Sequence, residues 1–169
     1  GHVAYGQVGV TVVVATGVLV AVGALFFVNG AGASNWLPRI PEVRDRLGLS
    51  NAGLGTSLIG VGLGGLIGSL LVARVLGRFG TRRVLLATSV ALVSGLPLIA
   101  VVPNAFALAA VLVVLGFCDV LTDMAMNAQA ATVQDLIGRS IVQRLHGMWS
   151  LGFMIGTGVG SLASAADLS

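Results

Sequence analysis

The chain has no lysine, and charged residues fill only 9% of its 169 positions, where soluble domains carry roughly 25%. A surface facing water needs more charge than that, which excludes an ordinary soluble domain. A single cysteine, Cys118, excludes an intrachain disulfide framework and a multi-cysteine metal centre, leaving a small buried apolar side chain as its expected role. His2 and His146 are too far apart and too poorly accompanied to hold zinc, so no metal and no cofactor is expected. The first 38 residues contain no arginine, which removes the basic start of a cleavable signal sequence. The natural N-terminus is therefore expected to be missing or atypical.

What is present is apolar: 56% of the residues are hydrophobic and the mean hydropathy is +1.02. These values predict an all-α, polytopic membrane protein. All nine basic residues are arginine and lift the isoelectric point to about 10.5, a value also met in nucleic-acid binders. Here the arginines sit in short gaps between apolar runs rather than on one solvated face. They read as topology determinants, and no nucleic-acid partner is expected.

Five runs are expected to cross the membrane: residues 8–33, 52–76, 84–102, 105–132 and 145–163. The first is a run of 26 residues, nearly all apolar or small, enough to cross ~30 Å of hydrocarbon with tilt. Residues 39–49, RIPEVRDRLGL, alternate charge with Val43, Leu47 and Leu49 and predict a short amphipathic helix at the surface. Ser50 or Asn51 is positioned to cap the next helix. Pro103-Asn104 leaves room only for a tight turn, so the third and fourth spans form an antiparallel hairpin. Six arginines and one acid fall in and around loops 77–83 and 135–144, against three arginines and two acids in 39–49. By the positive-inside rule the first two loops and the N-terminus are expected to be cytoplasmic, in a cell (inner) membrane. Gly60, Gly64 and Gly68, and again Gly152, Gly156 and Gly160, repeat every four residues and predict flat strips for close helix contact.

The fourth run carries the polar chemistry. Asp119, Asp123 and Asn127 are spaced by four, which on a helix places them within an arc of ~80°. An Asp facing lipid costs roughly 2.5 to 3.5 kcal/mol even on the gentlest scale, so the stripe should face other helices or a wet cavity. Two carboxylates one turn apart in a low dielectric cannot comfortably both ionise, so the pair is expected to hold a proton. That is the equipment of a proton-coupled carrier; the competing expectation is a structural acid paired with arginine or a backbone donor. His146, whose side-chain type titrates nearest physiological pH, is a candidate for the proton path or for a structural hydrogen bond. Trp36 sits where an interfacial aromatic is expected. Asn35, Arg39 and Trp149 are possible cavity residues.

With these features in view the sequence resembles the N-terminal half of a major facilitator superfamily (MFS) transporter, over about five of that half's six helices. The family's loop after the second helix reads Gly-x-x-x-Asp-Arg-x-Gly-Arg-Arg. Arg78-Phe79-Gly80-Thr81-Arg82-Arg83 matches its basic end, while Ala73 and Gly77 replace its first Gly and its Asp. Asp123-Met124-Ala125-Met126-Asn127 resembles the acid-x-x-x-Asn pattern of fucose-permease-like sugar/proton symporters. His146-Gly147-Met148-Trp149-Ser150-Leu151-Gly152 resembles the fifth helix of a branch of inner-membrane transporters. The resemblance implies a transporter moving a small solute by alternating access, with Asp123 as proton carrier and Asn127 in the cavity. It also implies a missing C-terminal half. Arg39 stands where the sugar carriers have an acid and Trp149 where they have Asn, which weakens sugar as the solute. Thr157 follows Gly156 where antiporters carry Pro, which favours symport or uniport.

Two other classes compete. Lipid-headgroup transferases use a Gly-x-x-x-Asp-x-x-x-Asp pattern to hold a metal, but Leu115 occupies the Gly position and no upstream Asp-x-x-Asp-Gly exists. No catalytic residue is therefore expected. Five helices alone could instead belong to a fragment or to a non-transporting assembly subunit, since facilitators place the solute between two bundles.

Overall fold

A computed structural model describes residues 2–166, with side chains from Thr16 onward. The described chain is helical: α1 (His2–Asn35), a 3-10 turn (Leu37–Arg39), α2 (Ile40–Arg46), α3 (Asn51–Phe79), α4 (Thr81–Gly95), α5 (Leu98–Val101), α6 (Ala105–Ile137) and α7 (Val142–Ala165). His2 lies outside the residues whose side chains are described.

Local chemistry sets the breaks between these helices. The Ser50 hydroxyl accepts from Gly53 N at 3.1 Å and starts α3, while Asn104 Oδ1 accepts from Ala107 N at 2.9 Å and starts α6. Both are side-chain N-caps satisfying otherwise orphaned amides. Gly80 (φ 79°) and Gly138 (φ 67°) end α3 and α6 in the positive-φ region that a Cβ disfavours. The third apolar run is split at Leu96-Pro97 into α4 and α5, because Pro97 has no N–H to continue the ladder and restricts the residue before it.

Four segments, Thr16–Arg46, Asn51–Phe79, Thr81–Val101 and Ala105–Ile137, are long and apolar enough to cross a membrane. α7 has 24 residues, a length of ~36 Å, but its glycines and serines dilute its hydropathy. It is nonetheless bound along α1. Gly152 lies against Phe27, Gly156 against Ala31 and Gly160 against Asn35, an ascending register that makes the two helices parallel. Gly30 answers from the other side, meeting the main chain of Trp149 and Phe153. The second glycine strip does the same for α3 and α6: Gly60 meets Ala109, Gly64 meets Val113, Gly68 meets Phe117, and Gly116 returns the contact at Val61. These two parallel pairs hold the largest interfaces in the molecule. Without a hydrophobic driving force between apolar helices in lipid, close backbone approach at small residues is what supplies the attraction.

α6 joins its pair to the other through α1 and α7 and also packs on α4, where the Thr122 hydroxyl donates to the buried Thr88 hydroxyl at 2.7 Å. Two apolar plugs lie within the bundle. One, built on Phe26, Leu85, Met126, Val133 and Leu145, lies toward the Arg78 end; the other, built on Val43, Ile99, Leu108, Leu112 and Leu115, lies toward α2. α2 is pinned across this second end. Arg46 donates to Val102 O at 2.8 Å and Ile99 O at 2.9 Å, and Glu42 accepts from the Ser164 hydroxyl at the far end of α7.

Candidate functional site

Between the two plugs the helices leave a cavity of about 390 Å³. α1 contributes Leu25, Val28 and Asn29, α4 contributes Ser89 and Leu92, and α7 contributes Trp149 and Phe153. From α6 come Leu112, Leu115, Gly116, Asp119 and Met126, and Trp36 closes the α2 side. Asp119 lies 15 residues past Asn104, or ~22 Å along α6, which places its carboxylate in the middle third of the bundle.

The walls are held by hydrogen bonds that cross between α1 and α7. Trp149 Nε1 donates to Asn29 Oδ1 at 2.9 Å, fixing the indole plane, and the buried Ser34 hydroxyl donates to Phe153 O at 2.7 Å. Trp149 and Phe153 stack in a tilted pair with centroids 5.2 Å apart. Among the described residues no donor or cation pairs with the Asp119 carboxylate, and none of the nine arginines lines the cavity.

Asp123 and Asn127 continue the stripe one and two turns beyond Asp119, but neither is among the lining residues. Asp123 is exposed, and Asn127 Nδ2 donates to it twice, to the carbonyl at 2.9 Å and to Oδ1 at 3.1 Å. The stripe therefore leads from the cavity toward the Arg78 end. His146 is exposed at the start of α7; its Nδ1 lies 3.0 Å from Val142 O, and its ring meets Phe26 edge-on at 5.6 Å. Asn35 sits at the end of α1 against Gly160. Arg39 approaches Glu42 at 3.9 Å. In the loop after α3, Arg78 lies over the Phe79 ring at 5.7 Å, Gly80 supplies the turn, and Arg82 and Arg83 are exposed.

The sequence profile of the Major Facilitator Superfamily matches residues 10–166. The chain belongs to the major facilitator superfamily. Similar proteins include an uncharacterized MFS-type transporter of Yersinia pestis, 33% identical over 79% of this chain and 35% of its own length. An uncharacterized transporter of Sinorhizobium fredii is 29% identical over 85% of this chain and 38% of its own. Membrane protein MosC of Rhizobium meliloti is 30% identical over 82% and 34%. The chain thus spans about a third of the length of the relatives it matches. No solved structure matches it.

Within this facilitator bundle, Asn29 and Ser89 are cavity residues that reading the sequence did not single out. Asn29 was visible as the lone amide inside the 26-residue apolar run at residues 8–33, and a polar side chain in such a run is a site signal. Ser89 had no comparable signal, since serine satisfies itself on a helix and is common in membrane spans.

Proposed function

We propose that this facilitator chain is part of a secondary transporter that carries a small solute by alternating access, coupled to protons through Asp123 and its neighbour Asp119. The observation that carries this reading is the Asp119 carboxylate. It is exposed on the lining of a mid-bundle cavity between two apolar plugs, and among the described residues no side chain pairs with it. A carboxylate placed there gains from a proton or a solute and is costly without either. Asp123, one turn further and solvated, is the proton-carrying group in this reading, and Asn127 holds its carboxylate in place. Symport is the mode implied by the resemblance at Asp123 to Asn127.

The remaining parts fit the same scheme. We take the loop carrying Arg78, Arg82 and Arg83 as cytoplasmic, with the N-terminus on that side of the inner membrane. The second bundle that facilitators need, facing this one across the solute path, lies in the remainder of a longer chain. The chain is read as a carrier and not as an enzyme. The test is solute flux driven by an imposed proton gradient in vesicles holding the full-length protein. Asp123→Asn abolishes the coupling, with the flux no longer responding to the gradient; coupled flux that survives the change unaltered refutes the assignment.

A further inference from the structure

The cavity lining also selects among solutes, and this inference rests on the transporter reading above. Polar side chains are sparse on its walls. Asn29 has its oxygen occupied by the Trp149 indole, which leaves the amide N–H groups, the Ser89 hydroxyl and the Asp119 carboxylate to face a bound molecule. The other described lining residues are leucine, valine, methionine, phenylalanine, glycine, alanine and two tryptophans. A sugar presents a hydroxyl on nearly every carbon, and each that is buried without a partner costs about 1–3 kcal/mol. Three polar side chains give such a molecule few partners on this bundle's side of the path. Among the described residues no arginine lines the cavity, so this bundle offers an anion no countercharge.

We infer that the cavity takes a largely apolar, ring-bearing solute with one ammonium group, the ring against Trp149 and Phe153 and the ammonium on Asp119. Its volume, about 390 Å³, lies at the small end of the range for drug-sized ligands, which fits one or two rings. Aromatic faces attract ammonium groups as well as rings, so Trp36 and Trp149 favour the same solute.

The experiment uses the full-length protein in detergent and three probes: phenethylammonium, the isosteric phenethyl alcohol, and fucose. Binding is read from tryptophan fluorescence. The ammonium is expected to bind at least tenfold more tightly than the alcohol, with fucose weaker than both, and Asp119→Asn is expected to erase the preference for the ammonium over the alcohol. Equal affinity for ammonium and alcohol in the unmodified protein, or tighter binding of fucose, overturns the inference, and neither result requires the variant to fold. If the variant folds and keeps the preference, Asp119 is not the recognising group and the inference fails as well. Selective ammonium binding without proton-driven flux would overturn the transporter reading and leave the solute class standing. Proton-driven flux of a sugar would do the reverse.

Discussion

Replacing Gly64 by alanine adds one methyl group at the point where α3 and α6 touch most closely. Its Cβ would collide with the carbonyl oxygen of Val113 and come within 2.8 Å of Phe117 N and Val113 C. All three obstacles are main-chain atoms, so no side chain can swing aside and the helices must separate. Overpacking of this kind costs about 1–3 kcal/mol, and the rigid obstruction argues for the upper end. Alanine in a helix interior regains about 0.5–1 kcal/mol relative to glycine, so the net loss at Gly64 is expected to be about 2 kcal/mol. Gly62 on the same helix supplies the control, because nothing lies within 4 Å of a Cβ there. Gly62→Ala should therefore be neutral or stabilising by about 0.5–1 kcal/mol. Both variants are compared by denaturant unfolding of the full-length protein in mixed micelles, following helicity. A Gly64→Ala protein as stable as Gly62→Ala would refute the argument that this strip sets the α3–α6 distance.

Other consequences follow from particular contacts. Arg46→Ala removes two charge-assisted hydrogen bonds to Ile99 O and Val102 O and should cost about 2 kcal/mol of stability in the same assay, with Arg46→Lys recovering part of it; an unchanged midpoint for the alanine variant contradicts the pinning of α2. Thr122→Val should cost about 1 kcal/mol, because Thr88 keeps its own bond to Val84 O at 2.8 Å, and a double-mutant cycle with Thr88→Val should show coupling between the two sites. Trp149→Phe keeps an aromatic ring but loses the bond to Asn29 and part of the ring surface, so solute affinity should fall several-fold while the lost bond costs about 1 kcal/mol of stability; an affinity equal to that of the unmodified protein would show that the indole and its bond do not matter for binding.

The fold was legible where chemistry repeats with a period. The strips at Gly60, Gly64, Gly68 and Gly152, Gly156, Gly160 are visible as spacing, and spacing on a helix is geometry. The cap at Ser50 and the turn at Pro103-Asn104 were legible because each depends on its nearest neighbours in sequence; the expected span 84–102 did not include the break at Pro97, although that too is local chemistry. The cavity was only half legible. Asp119 stands out as a charge in an apolar run, but that it lines the cavity while Asp123, four residues on, does not depends on how α1 and α4 lean on α6. Likewise the Asn29–Trp149 bond joins residues 120 positions apart, brought together by the register in which Gly30 and Gly152 let α1 and α7 dock. No local pattern encodes that register.

The account depends above all on water reaching Asp119 in the middle of the bundle, and thiol labelling tests this directly. In full-length protein with Cys118→Ala, Asp119→Cys is treated in vesicles with a membrane-impermeant maleimide, alongside Val90→Cys on the exposed outer side of α4. The expected result is modification of the Asp119 variant and none at Val90. A Cys at position 119 that stays as unreactive as the one at position 90 would contradict the account.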